Sequence, residues 1–350
     1  MKIALLHNPR PPASDSDCDS DTFEEYDTPE TIAAISDALR GLRVAVEPVE
    51  ADRELPWRLR SGGFDFVFNI AEGRGRRCRE GIPAAVCELL GLPFTGPDML
   101  TLAVTLDKAA ARRLVSPDVP VARAVLVAGQ PVEAELSSLS YPVIVKPNDE
   151  GSSKGICAQS VAADSAAALQ RVRWLLEKYG CPVLVEEFLC GPEVTVGIAG
   201  NGAATRLLGM MEIAPAEPEP IWIYSLEVKR DWRRRVRYHM PPRVTATALA
   251  ALEHHSLTAY RLLGCRDVAR IDFRLDAAGI PHFLECNPLP GLNPESGDLV
   301  ILSQPKLSYA DLVQGVLLDA AHRFKVQVNG HTFERPGVSR TTDDLRTIGR

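Results

Sequence analysis

The chain contains no run of 18 uninterrupted apolar residues, which excludes a membrane-spanning helix. A secretory leader is not expected either: the apolar stretch after Lys2 is too short for an h-region and no small-residue cleavage site follows, so a cytoplasmic location is expected. The eight cysteines include no C-x-x-C pair and no His-linked zinc spacing, and a chain of 350 residues does not need disulfide staples. Free thiols are expected. Basic charge is in deficit, with 39 Lys and Arg against 46 Asp and Glu and a net charge of −7. General nucleic-acid binding, which needs a net basic face, is therefore disfavoured. No internal repeat is visible. What is present is ordinary for packed domains: 45% apolar and 24% charged residues.

Strand and helix signals alternate through the first hundred residues. Ile3 to His7, Val44 to Val49 and Phe64 to Ile70 read as strands, and Thr28-Pro29-Glu30 opens a helix that runs to Gly41. A second helix covers Ile82 to Leu90, and Gly91 to Gly96 reads as a strand leading to a turn. This alternation predicts a parallel sheet covered by helices. The connection Pro9 to Asp27, rich in Asp, Ser and Pro, is long enough to be a mobile segment or a lid. Further on, helices are expected over Asp98 to Leu114, Ser165 to Tyr179, Val244 to Leu263 and Tyr309 to Phe324. Strands are expected at Tyr141 to Lys146, Val183 to Phe188, Glu193 to Ala199, Ala269 to Leu275 and His282 to Glu285. Residues 329–350 have no periodicity and are expected to be a flexible tail.

Three segments carry the chemistry. In Lys146-Pro-Asn-Asp-Glu-Gly-Ser-Ser-Lys-Gly155 a lysine ends a strand and a Gly/Ser loop follows, a pattern that can cradle phosphate oxygens or simply turn the chain. It is not a Walker A sequence, because the lysine precedes the glycines. Arg270-Ile-Asp-Phe and Glu285-Cys-Asn-Pro-Leu-Pro-Gly291 lie on consecutive strands, so Asp272, Glu285 and Asn287 can point to one place as hard oxygen ligands. The plainer reading is an edge strand with a solvated polar face. Arg74, Arg76, Arg77 and Arg79, and Lys229, Arg230, Arg233, Arg234, Arg235 and Arg237, form two basic clusters that are either solvated faces or partly site-facing. His254 and His255 sit in an apolar helix and read as structural.

Together with Phe64 to Asn69, Gly91 to Gly96, Leu106-Asp-Lys108 and Val185-Glu-Glu-Phe-Leu-Cys-Gly-Pro-Glu-Val-Thr-Val196, these segments resemble the ATP-grasp superfamily, and within it the D-alanine:D-alanine ligase family. The resemblance implies an α/β ATP-grasp fold: an N-terminal parallel α/β domain (1–97), then two α+β subdomains that clasp ATP (98–190 and 191–328, with a lid loop at 214–243). It implies an ATP-dependent carboxylate–amine ligase that uses magnesium, with two ions expected and manganese as an alternative. Residue by residue, Lys108, Lys146, Glu186, Leu189 and Glu193 match nucleotide contacts, and Asp272, Glu285 and Asn287 match metal ligands. Ser152 matches the phosphate loop and Lys229 the lid. Arg270 and the Gly291 N–H match the oxyanion site, and Ser296 matches the acceptor carboxylate site. The partners implied are ATP and small carboxylate and amine substrates, with no nucleic acid and no membrane, and a homodimer left open.

The departures fall on the donor side. The family's Gly-Gly turn and ammonium-binding glutamate are replaced by His7-Asn-Pro-Arg-Pro-Pro-Ala-Ser-Asp15, its histidine is lost within Asn69 to Gly73, and its lid tyrosine is Arg230. D-alanine is therefore expected to be a poor donor. Glu72, Asp15, Asp17 and Asp19 are the candidate replacements, and the pocket is expected to favour a donor with an extra acidic group or a blocked or absent amine. Glu72 pointing inward would restore ordinary amino-acid binding. The alternatives are an authentic D-alanine:D-alanine ligase of peptidoglycan synthesis and a non-catalytic nucleotide-binding regulator.

Overall fold

The short aliphatic runs Lys2–His7 (β1), Ala45–Glu50 (β2) and Phe66–Asn69 (β3) pair in parallel in the order β2-β1-β3. They belong to a computed structural model that describes residues 1–11, 21–75, 77–130 and 133–329. The helix Pro29–Arg40 (α1) starts where Thr28 accepts the Thr31 N–H and Pro29 presets the first turn. Leu55–Ser61 (α2), too short to show a period, was not anticipated. Gly81–Leu90 (α3) follows β3. The segment expected as a strand at 91–96 is reduced to a single bridge, Val67 to Phe94.

One continuous helix was expected over Asp98 to Leu114. The chain instead breaks at Asp107 into Met99–Leu106 (α4) and Lys108–Val115 (α5). The Asp107 carboxylate accepts the Ala110 N–H and the Asn148 side-chain amide, while the Lys108 N–H donates to the Asn148 carbonyl. Apolar periodicity runs through the break, so only these distant partners reveal it.

Ala124–Val127 (β4), Glu133–Leu136 (α6), Val143–Pro147 (β5), Val161–Ala162 (β6), Ser165–Tyr179 (α7) and Val183–Glu187 (β7) build an antiparallel sheet in the order β4-β7-β5-β6. A second antiparallel sheet is formed by Glu193–Ala199 (β8), Arg206–Pro215 (β9), Val236–His239 (β10), Val268–Leu275 (β11) and Pro281–Asn287 (β12), in the order β10-β9-β8-β11-β12. The segment read as a lid loop carries Leu226–Arg230 (α8) and Trp232–Arg235 (α9) before β10. Ala246–Leu262 (α10), Asp298–Ser303 (α11) and Tyr309–Phe324 (α12) complete the described elements. α12 packs back on α1, so Leu312, Val313, Val316 and Leu317 share one core with Ile3, Leu5, Ile35 and Leu39. The tail beyond residue 329 lies outside the described residues.

Candidate active site

Two-residue periodicity puts Arg270 and Asp272 on one face of β11, and pairing with β12 sets Asn287 opposite Arg270 and Glu285 opposite Asp272. The Thr195 hydroxyl, from β8 on the other side, donates to Asp272 Oδ1 at 2.6 Å. Arg270 donates to Asp272 from Nε and Nη2 and lies 3.4 Å from Asp298 Oδ2, so its guanidinium is fixed from two directions. Burial raises the Asp272 carboxyl, with Arg270 opposing it. For Glu285 burial also acts upward, but Lys108, Lys146, Arg270 and Lys229 prevail and hold it at about 2.

The break at Asp107 turns Lys108 inward, where its ammonium donates to the Glu150 carbonyl and lies 3.3 Å from Glu285. Lys146, at the end of β5, pairs with Glu186 at 2.5 Å, and Arg112 pairs with the same carboxylate. Burial pushes Glu186 up, but these two cations hold it below the usual range. Glu193 lies 3.3 Å from Arg274, and burial raises it to about 7. Lys146, Glu186, Leu189 and Glu193 line a cavity of about 80 Å³ between the two antiparallel sheets. Ligand pockets run to roughly 300–1,000 Å³, so this space is smaller than a nucleotide needs.

The larger cavity, about 480 Å³, receives Lys108, Ser152, Lys229, Arg230, Arg270, Glu285, Asn287, Gly291, Ser296 and Glu72. Ser152 adopts a left-handed backbone conformation, φ 49°, within the Gly/Ser loop. Lys229 lies over the Tyr224 ring at 4.8 Å. Of the predicted site residues, then, Lys146, Glu186, Leu189, Glu193 and Asp272 line the small cavity, Lys229, Arg270 and Glu285 line both, and the others line the large one.

Sequence reasoning missed the far end of the first connection. Glu24 and Glu25 both line the large cavity, so the loop that lacks a glutamate near β1 supplies two near α1. Glu24 pairs with Arg10 and Arg230, and Glu25 pairs with Arg79 and Lys154 and accepts the Gly151 N–H. Burial raises Glu25, but Arg79 and Lys154 hold it below the usual range. Asp15, Asp17 and Asp19 lie outside the described residues. The basic clusters divide: Arg79 is buried behind the cavity-lining Glu25 and Lys229 and Arg230 line the large cavity, whereas Arg74 and Arg233 pair with Glu50 and Glu295. Arg76 is outside the described residues. Tyr224 and Asp298 were also missed; the Tyr224 hydroxyl donates to the carboxylate that steadies Arg270.

Asp272, Glu285 and Asn287 offer hard oxygens suited to magnesium. Among the described residues, no three His, Cys, Asp or Glu side chains make a self-contained metal cage. The set therefore fits an ion that takes its remaining ligands from substrate phosphates and water.

Residues 119–318 match the family described as D-ala D-ala ligase C-terminus. A D-alanine–D-alanine ligase of Synechococcus sp. (strain JA-3-3Ab) is 31% identical over 306 residues, covering 85% of this chain and 90% of that protein. One from Polaromonas naphthalenivorans is 33% identical over 283 residues, covering 79% and 83%. The crystal structure of the Bacillus anthracis D-alanine–D-alanine ligase complexed with ATP superposes with a TM-score of 0.73 at 19% identity, covering 93% of this chain and 99% of that one, which shows a shared fold. Among the described residues no helix is long and apolar enough to cross a membrane. With a matched family over more than half its length, close relatives over most of it and this fold, the chain belongs to the D-alanine–D-alanine ligase family of ATP-grasp, ATP-dependent ligases.

Proposed function

We propose that the protein joins the carboxylate of one small amino acid to the amine of a second, through an acyl phosphate made from ATP. The observation that carries this is the convergence of Lys108, Lys229, Arg270, Glu285, Asn287 and the Gly291 backbone on one cavity, with Ser296 at its edge. Amide formation in water is uphill, so the donor carboxylate must first become an electrophile. Phosphoryl transfer asks for positioning and charge neutralisation rather than a protein nucleophile. Lys108, Lys146 and Lys229 supply that charge, and Ser152 sits in the loop over the phosphates. Magnesium held by Asp272, Glu285 and Asn287, as two ions with manganese able to substitute, would neutralise phosphate charge when bound. Arg270 and the Gly291 N–H stand where the tetrahedral oxyanion forms, and one such donor is worth roughly 3 kcal/mol. Ser296 binds the acceptor carboxylate. Glu186, Leu189 and Glu193 serve adenine and ribose once the small cavity opens.

The donor side is where we read a difference from the relatives. Arg230 is ion-paired with Glu24, which Arg10 shares, so its charge is partly offset rather than left to face the donor. A second reading, D-alanine as both substrates, is favoured by the names of the two relatives and by Glu24 and Glu25 reaching the cavity.

ATP with Mg²⁺ should raise the melting temperature, because a ligand that binds only the folded state stabilises it by mass action. Lys146→Ala should remove most of that shift. Phosphate release with amino-acid pairs, and mass detection of the products, tests the ligase. A melting curve unmoved by millimolar ATP would overturn the nucleotide assignment, and ATP binding without amide formation from any pair would leave a nucleotide-binding regulator.

A further inference from the structure

On the large cavity, three carboxylates have no cation within ion-pair distance among the described residues. Asp27, Glu72 and Glu80 all line it. Glu80, just before α3, is only 8% exposed, yet among the described residues its side chain accepts no hydrogen bond and forms no ion pair. Asp27 is pinned by its backbone to the end of β1: its N–H donates to the Asn8 carbonyl and its carbonyl accepts the Arg10 N–H. One of its carboxylate oxygens, Oδ2, is shut off from solvent without a partner. Glu72 likewise has no ion pair among the described residues. Its neighbour Gly73 has φ 71° and donates its N–H to Asn8 Oδ1, and a Cβ there would lie 1.9 Å from the Arg79 carbonyl oxygen, so this turn is fixed.

The nearby cations have closer partners: Arg79 and Lys154 pair with Glu25 and Glu150, Arg10 and Arg230 with Glu24, and Lys108 with Glu285, so Arg79 and Lys108 act on Glu80, and Arg79 on Glu72, only from beyond ion-pair distance. Burial raises Asp27 and Glu80 to about 7 and, with Glu80 and Glu25 adding to it, Glu72 well above the usual carboxylate range, against the pull of Arg79 on both glutamates. Carboxylates left this way in a folded protein cost stability unless something positive arrives to pair with them.

Building on the ligase reading, we propose that Asp27, Glu72 and Glu80 form a subsite for a second cationic group on the donor, making the preferred donor an amino acid with a basic side chain. One carboxylate of the three meets the α-ammonium common to all amino acids. The other two select an ammonium on a side chain short enough to share the cavity with the acceptor. The three carboxylates sit at the carboxyl ends of β1 and β3, where parallel sheets present their ligand-binding crevice. They line the same cavity as Arg270 and Glu285, so a donor anchored there shares it with the groups proposed to form and attack the acyl phosphate.

The test uses the full chain with ATP, Mg²⁺ and D-alanine as fixed acceptor. Candidate donors are D-alanine and both enantiomers of 2,3-diaminopropionate, 2,4-diaminobutyrate, ornithine and lysine, with fragmentation of the product to read the order of its two residues. At least one diamino acid should be used as donor with kcat/KM tenfold or more above D-alanine. Glu80→Gln and Asp27→Asn should each lower that ratio by about tenfold, a selectivity change that general loss of stability does not produce. Two variants guard against one failing to fold. D-alanine equal to or better than every diamino donor overturns the proposal, as does a diamino acid found only in the acceptor position or a ratio unmoved in both variants. A melting-temperature rise with Ca²⁺ or Mg²⁺ alone, lost in Glu80→Gln, would assign the subsite to a metal ion and overturn it too. If no pair yields an amide although ATP binds, the ligase reading itself falls.

Discussion

Glu285 shows how much one side chain carries here. It sits among Lys108, Lys146, Arg270 and Lys229, and the same carboxylate that restrains those cations is a candidate metal ligand. Glu285→Gln keeps the volume but removes the charge. Ligation should fall by three orders of magnitude or more while the circular dichroism stays that of the wild type. A variant with wild-type turnover at limiting Mg²⁺ would reduce the constellation to a polar strand face. Arg270 with Asp272, and Glu285 with Asn287, were legible as pairs on one strand face from the period of two, while their roles came from the family resemblance and their register from the strand pairing. Glu24 and Glu25 were not, since the connection before them has no period and the partners that hold them, Arg79 and Lys154 for Glu25 and Arg230 for Glu24, lie 54, 129 and 206 residues away.

Among elements, the break between α4 and α5 does the positioning. Asp107 caps α5 and receives the Asn148 amide, tying the helix that begins with Lys108 to the loop that follows Lys146. Asp107→Ala removes a cap worth ~1 kcal/mol and strands a buried amide hydrogen-bond donor worth ~1–3 kcal/mol, so a loss of about 2–4 kcal/mol is expected. Although burial pushes Asp107 up, Asn148, Ala110 and Arg77 hold its carboxyl below the ordinary value. A depressed carboxylate stabilises above its unfolded pKa and stops doing so as pH falls through the folded one. The gap between variant and wild type should therefore be full at pH 7 and shrink in acid. Denaturation at both pH values checks this, and KM for ATP should rise as Lys108 loosens; an unchanged KM would detach the cap from nucleotide binding. Long periodic helices such as α7 and α12 were read to the residue. Short elements such as α2, α8, α9 and α11 were lost, because one or two turns carry too little pattern.

Across the whole molecule, the first connection, the Gly/Ser loop and the lid meet over a single cavity and are held there by charge. Sequence order suggested the family fold but not this meeting, which joins segments far apart in the chain. The ties differ in their contact with water. Arg230 to Glu24 and Arg10 to Glu24 stand at the rim, their arginine side chains 37% exposed, whereas Arg79 and Glu25 are 7% and 4% exposed. Ions in solution reach the first kind and not the second, since the Debye length shrinks from ~10 Å at 0.1 M salt to ~3 Å at 1 M. The enclosure therefore has an outer latch that responds to ionic strength and an inner one that does not. Raising NaCl from 0.1 to 0.5 M should increase ATP hydrolysis uncoupled from amide formation, as water enters past a loosened rim, while Glu24→Ala should show that leak already at low salt and respond little further. A coupling ratio independent of salt in the wild type would place the barrier to water entirely at Arg79 and Glu25. On this reading the tightness of coupling between ATP cleavage and bond formation is a property of the medium as well as of the protein.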